Sequence, residues 1–200
     1  MYELPTIERQ LELKEIGFTL ITPSLNAIGD HGIHSFVAKC LDNAPLYFWT
    51  IPSSLSGKYH PEWALGDGGL LRHTICGMYY VEEIAETYGV YGRNVDLALA
   101  ASALHDSHKY GIDFNPDYSH MHPYLPRAQY KDFKNWMMSD EDFELIFRAV
   151  ERHMGNIESG CWQTISGLKP ESNIEKVVHL ADYVASRSKT LFSFDCDEHE

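Results

Sequence analysis

The chain reads as an all-α helical bundle with one long ordered loop before its third helix. Three observations predict this. Apolar residues recur at helical spacing in a series of separate stretches. Good helix starts precede several of them: Asn94, Ser139 or Asp140, and the capping-box pattern Ser172-Asn173-Ile174-Glu175. Helix stops follow others, at Pro45 and Gly89. Hydrophobic residues make up 44% of the chain, enough for a packed core.

The elements follow in order. Two helices are expected near residues 5–16 and 25–42, with Pro45 closing the second. Residues 45–69, PLYFWTIPSSLSGKYHPEWALGDGG, hold three prolines, four glycines and three serines. Their aromatics favour an ordered loop, with a short strand at Tyr47–Thr50, and a loop this long is usually functional. Leu71, Ile75, Met78, Tyr79 and Ile84 mark the next helix. Val95, Leu97, Ala98, Ala101 and Leu104 mark another, whose alanines suggest close central packing. A helix from about Tyr124 to Met137 tolerates Pro126 in its first turn. Phe143, Ile146, Phe147 and Val150 line the one after. The last buries Ile174, Val177, Val178, Ala181, Val184 and Ala185. The organisation expected is a helical extension over 1–45, one domain over 46–192, and a flexible acidic tail over 193–200.

Composition narrows the function. No run of about 18 apolar residues occurs, so no membrane span is expected. The acidic, polar start lacks the regions of a secretory signal. Cys40, Cys76, Cys161 and Cys196 form no CxxC pair, and a reducing cytosol is expected. Sixteen basic against 29 acidic residues leave a net charge of −13. Counterion release rewards many Lys and Arg on a polymer, so long nucleic acid is a poor substrate. A small anion is compatible, because a metal ion supplies positive charge locally.

The chemistry-bearing residues sit at ends and inward faces of separate elements. His105-Asp106 closes an apolar helix, and an adjacent His and Asp on a helix point about 100° apart. They flank one ion only if it lies between their directions. A lone His-Asp pair means little. His73, however, follows GGLLR at a helix start, and Asp182 interrupts the apolar helix VVHLADYVA. A carboxylate on an apolar face is costly unless paired or metal-bound. His153 ends the helix AVERHMG, and His122 precedes Pro123. Singly, each has an ordinary reading as a cap, a surface group or an ion-pair partner such as Asp182 with Arg187. Together, five elements converging His and Asp groups are what a metal centre in a helical bundle needs.

These motifs resemble the HD-domain metal-dependent phosphohydrolases. The family pattern of a His, a His-Asp pair and a distant Asp matches His73, His105-Asp106 and Asp182. GGLLRHT, ALHDSHKYG and HLADYVASR each resemble a family segment. FWTIPSSLSGKYHP resembles the lead-in of the branch that includes bacterial three-prime exoribonucleases. The similarity covers about residues 47–190.

The resemblance implies an HD-domain helical bundle with metal ligands His73, His105, Asp106 and Asp182. His122 and His153 match the places that hold a second metal in many members, with Asp106 bridging. His120 is an alternative to His122. One or two divalent transition ions (Fe, Mn, Co, Ni or Zn) are implied as cofactors. Asp106 and Lys109 are the expected catalytic residues. Arg72, Lys109, Arg187 and His60 are the expected substrate contacts. One departure is His108, where the family often has Gly before the motif lysine. His179 reads as a supporting or core residue, and His31, His34 and His199 as surface.

The implied reaction is hydrolysis of a phosphoester, by water activated at the metal, on a nucleotide or similar small substrate. Relatives with the same six ligands include mixed-valent di-iron oxygenases, which makes oxygen chemistry the alternative. A non-catalytic nucleotide-sensing module is the third reading. The oligomeric state is open.

Overall fold

In a computed structural model of the chain, residues 2–57, 60–155 and 168–187 are described. Expectations for Cys161, Cys196, His199 and the acidic tail lie outside these residues. Seven α-helices occur among them: α1 (Ile7–Leu25), α2 (His31–Asp42), α3 (Gly69–Ala85), α4 (Arg93–Leu104), α5 (Leu125–Tyr130), α6 (Asp140–Arg152) and α7 (Asn173–Ala185). No strand is present among the described residues. No helix is long and apolar enough to cross a membrane.

The alanine-rich α4 is the axis of the bundle. Every residue from Leu97 to Leu104 is buried, and α2, α3, α6 and α7 all pack on it. Small side chains allow that crowding, because backbones can approach closely on several sides at once. α4 opens at Arg93 behind Gly92 rather than at Asn94. Gly92 has φ +55°, a conformation glycine adopts without steric cost. On α3, Met78 is buried while Tyr79 turns outward.

The two N-terminal helices join the same core through Ile21, Leu25, Ile33, Phe36 and Val37. α1 runs through Gly17 to Leu25, beyond the expected end at residue 16. Gly17 is a packing residue here: a Cβ on it would lie 2.6 Å from the Trp49 ring. Pro23 falls in the last turn of α1. α2 starts at His31, later than expected, because Asp30 caps it by accepting the Ile33 N–H. Asp96 accepts the Gly29 and Asp30 N–H groups and fixes the approach to that cap.

The aromatic run forms a 3₁₀ turn, Leu46–Trp49, instead of a strand. A strand sends alternate side chains to opposite faces, whereas Tyr47, Phe48 and Trp49 are all buried. A three-residue-per-turn helix points them in three directions into the core. The Tyr47 hydroxyl accepts the Tyr110 N–H and donates to the Gly111 carbonyl. The rest of the loop is tied back by Ser53 to Ala64, Gly68 to Thr50 and Leu70 to Ile51. Gly69 permits this closure, since any Cβ there would collide with the Ala64 backbone.

The helix expected from Tyr124 to Met137 is shorter. α5 ends at Tyr130, a 3₁₀ turn covers Lys131–Phe133, and the chain then leaves helical geometry at Lys134. Asn135 holds the exit by donating to the Gly32 carbonyl and accepting the Met137 N–H. α6 and α7 open with complete capping boxes, Ser139 with Asp142 and Ser172 with Glu175.

Candidate metal centre

α4 and α6 both end where a histidine follows the last turn, and this positions the site. The last carbonyls of a helix have no intrahelical partner. The imidazoles of His105 and His153 take two of them: each Nδ1–H donates to the carbonyl three residues back, Ser102 and Val150, at 2.6 Å. His122 does the same to Ser119, in the 3₁₀ turn Pro116–His120. A carbonyl can only accept, so each Nδ1 carries the proton. In the neutral ring, each Nε2 is therefore a lone pair.

These three lone pairs converge on two carboxylates. His105 Nε2 lies 3.5 Å from Asp106 Oδ2 and 3.6 Å from Asp182 Oδ1. His122 Nε2 lies 3.1 Å from Asp106 Oδ1, and His153 Nε2 lies 3.8 Å from that same oxygen. His73, from the second turn of α3, puts Nε2 at 2.9 Å from Asp182 Oδ1. Asp182 comes from the inward face of α7. Asp106 thus stands between two groups, with Oδ1 toward His122 and His153 and Oδ2 toward His105 and His73.

The donor set fits a divalent cation. Lone pairs and anionic oxygens that face one another across 3–4 Å in a buried site repel unless positive charge sits among them. His105 Nε2 has no hydrogen-bond partner although it is buried. Three overlapping sets bring ligand atoms within 4.8 Å of one another: His73, His105 and Asp106; His105, His153 and Asp182; Asp106, His122 and His153. Four imidazoles and two carboxylates suit a borderline transition metal.

The electrostatics agree with that demand for a cation. Burial pushes the Asp106 carboxyl up, but Lys109, His105 and His122 outweigh it and hold it well below the usual range. Burial also works against Asp182, and the neighbouring imidazoles of His105 and His73 overcome it, lowering this carboxyl too. Burial lowers His105, and Asp106 and Asp182 reverse the balance and raise it. His153 is pushed down to about 3 by burial and by the neighbouring His105 and His122. It is thus a neutral imidazole at ordinary pH.

A cavity of about 240 Å³ opens on this cluster, lined by Asp106, His122, His153 and Asp182 with His60, Lys109 and His120. Lys109 Nζ hydrogen-bonds Asp106 Oδ2. His60 is buried against the His73 ring, and its Nδ1 has no partner. Burial, Lys109 and His73 push it down to about 3. His120 is exposed at the rim while His122 is inside the cluster.

Two expected contacts are placed differently. Arg72 does not reach the cavity lining. Its guanidinium donates to the carbonyls of Trp63, Leu65 and Asp67 and so buttresses the long loop. Arg187 lies over the Tyr183 ring and donates to Ser186 Oγ, one residue from the cavity wall. His108 turns away from the ligands and packs edge-on against Tyr130, so it does not crowd the site. Burial lowers it to about 4.

Sequence reasoning missed the carbonyls of Ser102, Ser119 and Val150, which orient the rings. A main-chain group leaves no residue signature; only its spacing, three before each histidine, could have pointed to it. His179 adds a further support, donating Nδ1–H to the His153 carbonyl at 2.6 Å. Gly155 makes room for it, since a Cβ there would meet the His179 ring at 2.6 Å.

The chain matches the family model described as HD domain over residues 70–187, more than half of its 200 residues. No curated protein and no solved structure matches it.

Proposed function

The chain belongs to the HD-domain family, and from that premise we propose that it is a metal-dependent phosphohydrolase acting on a small phosphorylated substrate such as a nucleotide. One observation carries the reading. Three imidazoles, their tautomers set by main-chain carbonyls, aim Nε2 at the carboxylates of Asp106 and Asp182, which line an open cavity. A purely structural site would be closed, whereas a catalytic one keeps an approach for substrate and water.

His73, His105, Asp106 and Asp182 would hold one divalent ion. Asp106, His122 and His153 would hold a second, with Asp106 shared. Such ions lower the pKa of water and neutralise charge that builds on phosphoryl oxygens. The chain's own residues do the rest. Lys109 places an ammonium at the cavity wall, where it can meet a phosphoryl oxygen while it steadies Asp106. His60 also lines the cavity and would offer its imidazole to the substrate. Arg187 stands at the rim. The acidic surface disfavours a long polynucleotide. Free thiols at Cys40 and Cys76 accord with a reducing cytosol.

The test is a panel of nucleoside mono-, tri- and cyclic phosphates, with Mn, Fe, Co, Ni or Zn added to the purified protein. Release of phosphate or nucleoside, abolished in Asp106→Ala, is the expected result. No turnover across the panel would overturn the reading. Oxygen uptake with an iron EPR signal would put a di-iron oxygenase in its place. Thermal stabilisation by a nucleotide without turnover would mark a sensing module.

A further inference from the structure

The main chain of His153 is held by a side chain from another helix. His179, on α7, donates Nδ1–H to the His153 carbonyl at 2.6 Å. The His153 ring is already fixed by the Val150 carbonyl. One bond sets the rotation of the imidazole, and the other sets where the backbone that carries it lies.

That second bond matters because His153 ends its helix. It is the C-cap of α6, followed two residues on by Gly155 at φ +74°. A terminal residue lacks the full ladder of bonds that fixes a helix interior, and helix ends fray. The His153 N–H reaches the Val150 carbonyl only at 3.4 Å. Even so, His153 Nε2 stands 3.1 Å from His122 Nε2 and 3.8 Å from Asp106 Oδ1. A hold from outside α6 is what such a position needs.

The backbone is shaped around the donor. A Cβ on Gly155 would lie 2.6 Å from His179 Cε1 and 3.2 Å from its Nδ1, so a larger residue there would displace the ring from the carbonyl. The docking of α6 on α7 has other supports. Arg152 pairs with Glu171 at 3.0 Å and donates to the Lys169 carbonyl at 2.9 Å, and Arg148 pairs with Glu175 at 3.1 Å. What His179 adds to these is the placement of His153. It stands three residues before Asp182, on the same face of α7. One helix thus supplies a ligand of the first ion and the hold on a ligand of the second.

We propose that His179 is a positioning residue for the second ion: it fixes the main chain of His153, and with it the direction of His153 Nε2, from the helix that carries Asp182. The proposal rests on the two-ion arrangement of the phosphohydrolase reading and is independent of the substrate.

The test titrates the metal-stripped full chain with Mn²⁺ in a calorimeter, for the native protein and for His179→Ala, His179→Asn and Gly155→Ala. In His179→Ala the Kd of the second ion should rise about tenfold, the lower end of the loss when a group that orients a metal ligand is removed, while that of the first ion stays within about twofold. His179→Asn should recover most of the loss, because its amide nitrogen stands on Cγ as histidine Nδ1 does and donates to the same carbonyl. Packing alone would not be rescued by the smaller amide. Gly155→Ala should weaken the second ion as His179→Ala does, with His179 itself intact, and it decides the matter in the same way if His179→Ala does not fold. An unchanged second Kd in His179→Ala would overturn the proposal, as would equal loss of both ions, or equal loss in His179→Ala and His179→Asn. A native protein that binds one ion overturns it too, and leaves the phosphohydrolase reading to the nucleotide panel.

Discussion

His122 and His153 bring their Nε2 atoms within 3.1 Å of each other, and neither ring is free to turn over. Each Nδ1–H is engaged by a carbonyl three residues back. Two lone pairs at that distance, beside the Asp106 carboxylate, call for a cation. The native protein should therefore bind two divalent ions, and His122→Ala should bind one. Metal analysis after gel filtration reads the count. A single ion in the native protein, with His122 retained, would exclude the second site.

Lys109 is the only cation of the chain in hydrogen-bond contact with Asp106 among the described residues. Burial lowers its pKa, and Asp106 outweighs this and raises it, so it is charged at neutral pH. Lys109→Met should keep the metal but reduce kcat by about 100-fold, the usual size for one electrostatic donor. Without metal the variant should melt earlier than the native protein, because Asp106 loses its partner. Added metal should close most of that gap in Tm. An unchanged kcat would remove Lys109 from the catalytic residues.

Arg72 is a brace. Three of its nitrogens donate to loop carbonyls, at 2.5 to 3.0 Å. Arg72→Ala should lower stability by about 2–3 kcal/mol in urea unfolding, allowing for partial exposure. Arg72→Lys should recover less than half, since one ammonium cannot span three carbonyls. Raised KM with unchanged stability would instead indicate a phosphate contact.

Asp142 ties α6 to the N-terminal helices. It accepts from Arg93 at 2.9 Å and completes the Ser139 capping box, while Arg93 also pairs with Asp30. The Arg93 hydrogen bond, opposed by burial, holds the Asp142 carboxyl down at about 2. A lowered carboxyl pKa stabilises the fold above the unfolded value, about 3.9, and that contribution is lost as pH falls toward 2. Asp142→Asn should cost about 1–2 kcal/mol at pH 7, discounted for the half-exposed Arg93. Urea unfolding should show the difference shrinking between pH 4 and pH 3. A difference constant with pH would mean that capping, not charge, dominates.

Much of the bundle was legible because its signals are local. Apolar spacing, with a start near Ser139 or Asp140 and a capping-box pattern at Ser172, located α6 and α7, and the alanines of α4 marked the central helix. The errors arose where distant groups decided. The first helix, expected near residues 5–16, runs on through Gly17, which lies against Trp49. A strand is expected at Tyr47–Thr50, but burial of Tyr47, Phe48 and Trp49 together suits the 3₁₀ turn that forms instead. The helix expected to reach Met137 ends early because Asn135 finds the Gly32 carbonyl, 103 residues away in sequence.

The sequence by itself determined the all-helical class, the family and the identity of the clustered side chains, since residue type and ordered motif spacing are properties of the chain alone. Tertiary structure decided how those side chains face one another. It put Asp106 between two groups of imidazoles and turned Arg72 and His108 away from the cavity. Ring orientation depends on main-chain carbonyls and on contacts between residues far apart in sequence, and neither is recorded in the order of side chains.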